Sequence, residues 1–325
     1  MQGMEMSKEK REKKEQGFRT TIGGQALIEG ILMRGPKKQA IVVRLADGSL
    51  QEKTEELKLI KDRWPILGWP LVRGVVIFFS SLINGVKALM YSADCLPEEE
   101  QAAQEDKLDK WINEHFEGEK AKKLIIGSSV VIGIALAILI FMLLPYLVTS
   151  VFTKGIESSF LKNVIDGVLR IIIFLVYIRL VTLSKDIHRV FEYHGAEHKS
   201  IHCYEKGLPL TVENIRPQPR EHPRCGTSFL FVVMLVSFLV FSVVSWKNRL
   251  AAFFLRLLLL PVVVAFSYEI NRWAGGHDNW LSRVLSAPGR ALQKLTVFEP
   301  DDSMMECAAR ALTLVIPEEK GADRW

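Results

Sequence analysis

Five of the seven histidines of this 325-residue chain fall between residues 188 and 222. The densest part is His194-Gly195-Ala196-Glu197-His198, which has the form H-x-x-E-H found in inverted zinc peptidases. Two histidines four residues apart lie on one face of a helix, so their imidazole nitrogens can converge on one metal ion. The adjacent Glu197 could polarise a metal-bound water as general base. The motif therefore predicts a divalent-metal site, with zinc as the metal.

A catalytic zinc site takes a third protein ligand and keeps one position open for water. We expect that ligand to be Glu269 or His222, which both border apolar stretches of the chain. An acid at the end of an apolar helix is usually either paired or functional. For Glu269, the sequence favours two roles equally, an ion pair with Arg272 and a metal ligand. The competing interpretation of the whole motif is a helix whose histidines bind backbone groups or phospholipid.

Two further side chains near the motif are candidate ligands, Cys225 and His202. Cys225 follows His222 by three residues, and a His and a Cys at one turn could both bind a borderline metal ion. A thiol that is simply buried before the next helix is slightly favoured for Cys225. His202 lies one helical turn beyond the motif. Gly195 costs about 1 kcal/mol relative to Ala inside a helix, which indicates close packing or a functional need there.

The elements that position these residues alternate between apolar and charged stretches, in a chain that is 49% hydrophobic and 24% charged. Residues 124–153 and 225–246 contain no Asp, Glu, Lys or Arg, and about 20 apolar helical residues cross a hydrocarbon core. Two less apolar stretches contain Arg170, Arg179 and Arg256, which we place near span ends, where arginines snorkel to headgroups. We predict a mainly α, polytopic membrane protein with four transmembrane helices, near 124–148, 164–184, 227–246 and 250–268.

Positive charge distinguishes the connections between these predicted helices. The connection 184–226 and the segment after Glu269 carry seven Lys and Arg each, whereas 149–163 and 247–249 carry two each. The positive-inside rule then places both termini and the histidine-rich connection in the cytoplasm. We interpret the net charge of +5 as membrane-surface charge, with no nucleic-acid partner. The four cysteines include no C-x-x-C pair, which argues against a disulfide framework.

The remaining segments divide by composition. The apolar core between Arg73 and Lys87 is short, so we expect an interfacial or re-entrant helix rather than a fifth span. Asp47-Gly48 is a strong hairpin signal inside a β-compatible region. The predicted segments are a charged tail (1–19), a small cytoplasmic β-unit (20–60), the interfacial helix (64–93), a charged linker or helix (94–123), the transmembrane region (124–268) and C-terminal cytoplasmic helices (269–325).

Three separate blocks of sequence resemble one family. They are Gly23-Gly24-Gln25-Ala26 with Glu29-Gly30 and Met33-Arg34-Gly35-Pro36, then Tyr193-His194-Gly195-Ala196-Glu197-His198-Lys199, then His222-Pro223-Arg224-Cys225-Gly226-Thr227-Ser228-Phe229. Together they resemble the YqhQ-like bacterial membrane proteins, from about Thr20 to Leu314. The resemblance implies a protein of the bacterial inner membrane and a metal-dependent enzyme of unknown substrate. The residues that match its blocks are His194, Glu197, His198, His222 and Cys225.

Three classes of function are compatible with these patterns. The metal-site residues favour hydrolysis of a peptide or of a lipid-linked substrate presented at the bilayer. The alternative is a non-enzymatic membrane scaffold or regulator whose histidines are structural or sense pH. A solute transporter is less favoured, because arginines near span ends provide no polar path through the midplane. The sequence determines neither the substrate nor the oligomeric state.

Overall fold

The computed structural model describes residues 18–57, 63–97, 118–244 and 248–325, together with Trp111 and His115. Almost all of the predicted charged tail, 1–19, and most of the predicted charged linker, 94–123, lie outside these residues. The chain divides into two compact units. The first comprises Met1–Cys95, Val181–Val232 and Ser267–Trp325, and the second comprises Leu96–Leu180 and Val233–Phe266.

The structure is mainly helical, with a small sheet near the N-terminus. The strands are β1 (Gly23–Leu27), β2 (Gly30–Arg34), β3 (Lys38–Arg44) and β4 (Leu50–Glu56). A short 3-10 helix covers Pro65–Gly68, and a π-helical turn at Leu139–Leu143 joins α2 to α3. The α-helices are α1 (Val72–Asp94), α2 (Gly118–Ile138), α3 (Leu144–Phe152), α4 (Ser159–Val181), α5 (Lys185–Glu205), α6 (Val212–Ile215), α7 (Gly226–Ser242), α8 (Arg249–Leu258), α9 (Leu260–Gly276), α10 (Trp280–Thr296) and α11 (Asp302–Val315).

The sheet of the first unit is an antiparallel meander in the order β1-β2-β3-β4, which confirms the predicted β-unit. The hairpin between β3 and β4 turns at Asp47-Gly48, and Gly48 adopts a positive φ of 83°. Because a residue with a Cβ rarely adopts that conformation, glycine suits this turn. The Asp47 carboxylate reinforces it by accepting hydrogen bonds from the backbone and hydroxyl of Ser49.

Both faces of this sheet are covered, because the strands alternate apolar side chains between two cores. Ile31, Met33 and Val42 face a core shared with α5 and α11. Leu32, Ile41 and Val43 face the opposite side, where Ala88 of α1 packs against them. The sheet is therefore held between the histidine-bearing helix α5 on one side and an apolar helix on the other.

Two helical stretches of the described residues are long and apolar enough to cross a membrane, Val72–Asp94 and Gly127–Phe152. A third candidate exists if Leu250–Leu258 and Leu260–Gly276, bent by 41°, form one span. Helix α7 is apolar but short, and α4 does not meet the same criterion among the described residues. The chain thus has two or three candidate spans, and the predicted number of four is not confirmed.

For residues 64–93 we expected an interfacial or re-entrant helix, and α1 in this segment is long and apolar enough to be a candidate span. It runs unbroken for 23 residues, about 35 Å at 1.5 Å per residue. The expectation counted Arg73 as the end of the apolar core, but Arg73 lies inside the helix and pairs with Glu269. Gly74 allows close packing there, since a Cβ would lie 2.8 Å from the Tyr268 side chain.

Two of the three arginines that we expected to snorkel are largely or fully removed from solvent in the second unit. Arg256 is 1% exposed, and its guanidinium donates hydrogen bonds to Asp166 and Asn163. Arg170 lies at the middle of α4 and pairs with Asp166 one turn before it. Only Arg179 is exposed as expected. The expectation was wrong for Arg170 and Arg256 because it ignored Asp166, whose charge holds both guanidinium groups inside the helices.

Candidate metal centre

Helix α5 presents the H-x-x-E-H motif of the first unit. It covers Lys185–Glu205 after an extended residue, Ser184, and Gly207 follows it with a φ of 67°. A left-handed glycine just after a helix is a frequent stop signal. The second half of the helix is almost wholly buried, including Glu197 and His198. The motif therefore lies in the interior of the unit and not on a solvated face.

Three potential ligand atoms converge beside this helix, from His194, His198 and Cys225. One ligand atom of each lies within 4.8 Å of the other two, and His194 Nε2 is 3.1 Å from Cys225 Sγ. In a tetrahedral zinc site with Zn–N near 2.0 Å and Zn–S near 2.3 Å, such atoms are about 3.5 Å apart. The spacing fits a metal ion after small adjustments of the side chains. We call these three residues the thiol group.

Both imidazole rings of the thiol group are oriented by backbone carbonyls. His194 Nδ1 donates to the carbonyl of Thr296 at 3.0 Å, and His198 Nδ1 donates to that of Arg220 at 2.5 Å. These bonds direct the Nε2 atoms inward, and His198 Nε2 is buried without a hydrogen-bond partner among the described residues. Metal-ligating histidines are typically held by such a hydrogen bond on the other ring nitrogen.

The protonation states of the side chains in the thiol group also favour binding of a metal cation. Burial lowers the pKa of His198 to about 4, so its imidazole is neutral at pH 7 and its free nitrogen can bind a metal. The backbone amide and hydroxyl of Thr227 lie 3.5 and 3.3 Å from Cys225 Sγ. Donors at these positions favour the thiolate, the form of cysteine that binds metals.

Glu197 is buried next to the thiol group on the same helix. Burial raises the pKa of its carboxyl to about 7, against the opposing effect of nearby His194. One carboxylate oxygen accepts a hydrogen bond from the backbone of Gly24 at 3.0 Å. A Cβ on Gly24 would lie 2.9 Å from the Glu197 carboxyl carbon and 2.8 Å from the Leu32 carbonyl. The first and second sequence blocks are therefore in direct contact, and a pKa near 7 suits a general base.

Gly195 shows why the motif contains a glycine inside a helix. A Cβ there would lie 2.0 Å from the carbonyl oxygen of Phe298. The segment after α10 thus passes directly against α5, and Phe298 also donates its backbone N–H to Phe191. Of the two explanations that we gave for this glycine, close packing and a functional need, the structure shows close packing.

A second group of ligand-type side chains lies next to the first, made of His202, Glu205 and His222. We call it the arginine-filled group, because Arg224 donates a hydrogen bond to Glu205 and lies 3.3 Å from His222 Nε2. Glu205 also accepts from the backbone of Thr20 at 2.8 Å. Burial lowers the pKa of His222 to about 4. The guanidinium thus contacts two of the three potential ligand side chains, Glu205 and His222.

Glu269 belongs to neither group. Its carboxylate accepts two hydrogen bonds from Arg73, at 2.7 and 2.5 Å, and one from the backbone of Leu71. The competing interpretation of Glu269 named Arg272 as its ion-pair partner, whereas its hydrogen-bonded partner is on α1. A bidentate pair with a guanidinium satisfies both carboxylate oxygens, and the structure does not bring Glu269 together with the described ligand atoms of either group.

Two comparisons with known proteins place the chain in a family. The model of a family described as "Protein of unknown function (DUF1385)" matches residues 69–318. The "Uncharacterized protein YqhQ" of Bacillus subtilis (strain 168) is 30% identical over 297 residues, 88% of this chain and 89% of that protein. This chain belongs to the DUF1385 family. The predicted resemblance to YqhQ-like proteins is confirmed, and no solved structure matches.

Neither description of the DUF1385 family names an activity, so activity has to be inferred from the side chains. Of the residues predicted as ligands, the structure brings together His194, His198 and Cys225, and it places His202 and His222 in the neighbouring group. Sequence reasoning ranked Cys225 below Glu269, although it follows His222 in the third family block. The sequence contains one sign that favours Cys225 as a ligand. Thr227 follows it by two residues, and its hydroxyl can donate a hydrogen bond to the thiolate.

Proposed function

We propose that this protein binds one divalent metal ion, zinc, through His194, His198 and Cys225 at the cytoplasmic face of the bacterial plasma membrane. The observation that supports the proposal is the convergence of three ligand atoms from two separate chain segments. Two imidazoles and one thiolate form a ligand set that suits zinc. Cys225 directly precedes the apolar helix α7, and the same unit contains α1, which is long enough to cross a membrane.

The reaction that we propose is hydrolysis of a peptide or of a lipid-linked substrate. Zinc with three protein ligands keeps one position for water and supplies a Lewis acid that lowers the pKa of that water. Glu197 lies beside His194 and has a pKa raised to about 7 by burial, so its carboxylate can accept a proton near neutral pH. The Gly24 backbone N–H holds one carboxylate oxygen in place.

The first test is metal content. The purified wild-type chain should contain one zinc per chain by elemental analysis, and a double variant, His194→Ala with His198→Ala, should contain none. The cobalt-substituted wild type should show thiolate charge-transfer absorption. The cobalt-substituted Cys225→Ser variant should lack it. Absence of stoichiometric metal from the wild type would contradict the proposal, as would metal retained by the double variant.

The second test separates binding from chemistry. Glu197→Gln should keep the fold and the metal and lower hydrolysis of a fluorogenic peptide panel, or of a fluorescent phospholipid in micelles, by roughly 10²- to 10⁴-fold. Glu192→Gln is the matched control, because Glu192 lies on the same helix and faces His188 at 3.6 Å. Equal turnover by wild type and Glu197→Gln would exclude Glu197 as the base.

A non-enzymatic membrane scaffold or regulator is the second candidate. It is favoured by the arginine-filled group, where hydrogen bonds and a guanidinium account for the histidines without any metal. In this case a metal at the thiol group would only connect α5 to the start of α7. The scaffold hypothesis predicts that Glu197→Gln supports the same cellular function as the wild type when it replaces the chromosomal copy.

A further inference from the structure

The N-terminal sheet has two edge strands with different chemistry. Its order is β1-β2-β3-β4, so β1 and β4 each have one side without a neighbouring strand in this sheet. Strand β4 contains the charged residues Glu52, Lys53, Glu55 and Glu56, and charges on an edge strand discourage the addition of a further strand. Strand β1 has the sequence Gly-Gly-Gln-Ala-Leu and contains no charge. Of the two edges, β1 is therefore the one without this protection.

Alternate residues of β1 direct their backbone groups away from the sheet. In an antiparallel pair, a residue directs both its N–H and its C=O either to the neighbouring strand or away from it. The Gly24 N–H donates to Glu197 Oε1 at 3.0 Å, so Gly24 is directed away, and so is Ala26 two residues further on. In the described part of the chain, the Gly24 carbonyl and both backbone groups of Ala26 have no hydrogen-bond partner. These three groups can bond to an added strand.

The edge of β1 is open and passes directly beside Glu197. Gly23 and Gly24 are both exposed. Glycines in a strand let another backbone approach closely, because no side chain stands between the two chains. Glu197 is only 6% exposed, and its carboxylate reaches this edge from α5, where the next residue is His198 of the thiol group. A chain placed along β1 would therefore pass beside the candidate metal centre.

We propose that β1 binds an extended peptide segment as an additional strand and so presents it to the thiol group. The proposal rests on the hydrolase function proposed above and selects a peptide over a lipid-linked substrate, because only a peptide provides a ladder of backbone groups. The segment accepts a hydrogen bond from the Ala26 N–H and donates to the carbonyls of Gly24 and Ala26.

The bond between Gly24 and Glu197 selects the position of cleavage on the bound segment. Since the Gly24 N–H already donates to Glu197, the peptide carbonyl opposite Gly24 lacks a ladder donor, and we assign the hydrolysed bond to this carbonyl. Water adds its hydroxyl group to the carbonyl carbon, and the C–N bond breaks. The proton that Glu197 accepts from the water passes to the leaving amine.

The first test is hydrogen exchange at single-residue resolution on the full-length chain in a neutral detergent. The probe is reduced and carboxymethylated α-lactalbumin, an unfolded polypeptide that presents many extended segments. The Thr54 N–H on β4 is the internal control, because it is also directed away from the sheet, three residues before the inward bond of Leu57 to Lys37. Bound probe should slow exchange of the Ala26 N–H at least tenfold and leave Thr54 unchanged. Unchanged exchange at Ala26 would overturn the proposal.

A matched pair of proline variants measures the affinity for the same probe, labelled with fluorescein. Ala26→Pro removes the outward N–H of β1 without removing a hydrogen bond inside the sheet, so it should weaken binding by roughly threefold to tenfold. Thr54→Pro removes the equivalent N–H of β4 and should bind the probe as the wild type does. Equal affinity of the wild type and Ala26→Pro would contradict the proposal. If Ala26→Pro fails to fold, hydrogen exchange of Ala26 in the wild type decides the question.

Two further results separate this proposal from its alternatives. Slow exchange of Ala26 before any probe is added, in a chain that elutes as a dimer, would show that a second copy covers β1 and would overturn the proposal. Zinc content should be the same in the wild type and in both proline variants. A wild type that contains zinc but leaves Ala26 unprotected refutes the added strand alone. A wild type that protects Ala26 but contains no zinc refutes the hydrolase and leaves β1 as a peptide-binding edge.

Discussion

The thiol group and the arginine-filled group are neighbours with similar side chains and different electrostatics. The rings of His198 and His222, one from each group, have centroids 5.6 Å apart. Each group contains two histidines and one side chain that can carry a negative charge. In one group that side chain is Cys225, with no arginine bonded to it among the described contacts. In the other it is Glu205, which Arg224 already neutralises.

Two glutamates on α5, one buried and one largely buried, show the same difference. Burial raises the pKa of Glu197 to about 7, and no ion pair with Lys or Arg compensates for it within the described part of the chain. Burial acts on Glu205 in the same direction, but the hydrogen bond from His222 and the charge of Arg224 lower its pKa below the ordinary value. Ligand-type residues at helical spacing therefore do not define a metal site by themselves, because a resident cation decides whether a metal can enter.

The largest expected effect is on metal affinity. Cys225→Ala should weaken zinc binding on the order of a thousandfold, since apparent zinc binding energies of about 10–16 kcal/mol are shared among few ligands. His202→Gln, in the arginine-filled group, should leave the affinity unchanged. Competition against a chromophoric chelator measures both variants. If His202→Gln lost zinc and Cys225→Ala kept it, the assignment of the two groups would be reversed.

The next effect is on stability. Arg224→Met should destabilise the chain by about 3–5 kcal/mol, because it leaves the largely buried carboxylate of Glu205 without its guanidinium partner. The exposed pair of Arg216 and Asp302 provides the control, with side chains 56% and 63% exposed against 8% and 12% for Arg224 and Glu205. Arg216→Met should cost about 0–1 kcal/mol.

Denaturant unfolding followed by near-ultraviolet circular dichroism compares these two variants. The same experiment with added zinc sharpens the comparison of the groups, because removal of the guanidinium frees Glu205, His202 and His222 for a metal. Added zinc should therefore restore part of the stability of Arg224→Met, and this variant should bind a second equivalent of zinc. Equal losses of stability in Arg224→Met and Arg216→Met would refute the proposed difference in electrostatics.

The smallest expected effect comes from backbone packing behind the motif. Gly195→Ala should cost about 1–3 kcal/mol, because the new methyl group overlaps the Phe298 carbonyl and pushes α5 away. Gly133→Ala in α2 meets no atom within 4 Å and should be neutral or stabilising by up to about 1 kcal/mol. Thermal unfolding and zinc affinity measured on both variants check this. A Gly195→Ala protein as stable as the wild type would show that the segment after α10 can move.

Local features of the structure could be predicted from short stretches of sequence. A helix that carries the H-x-x-E-H motif follows from the four-residue spacing of its histidines, and the hairpin at Asp47-Gly48 follows from the conformational freedom of glycine. The pairing of His194 with His198 needed only the helical repeat. These predictions were right because each depends on interactions within a few residues of the chain.

Predictions about distant contacts were less successful. Glu269 was ranked above Cys225 because an acid beside an apolar helix is costly, and the sequence could not show that Arg73, 196 positions earlier, satisfies it. The sequence around Arg256 indicates a span end, since its partner Asp166 lies 90 positions away on another helix. In both cases an opposite charge on another helix determined the environment.

The sequence by itself determined the residue types and their local order: the H-x-x-E-H helix, the N-terminal sheet, the apolar stretches and membership of the family. Tertiary structure alone decided which side chain completes each cluster. It brought Cys225 to the histidines, Arg224 to Glu205 and Arg73 to Glu269. The physical reason is that charge compensation acts through space, so a buried polar group is satisfied by whichever partner the packing of helices brings within hydrogen-bond distance.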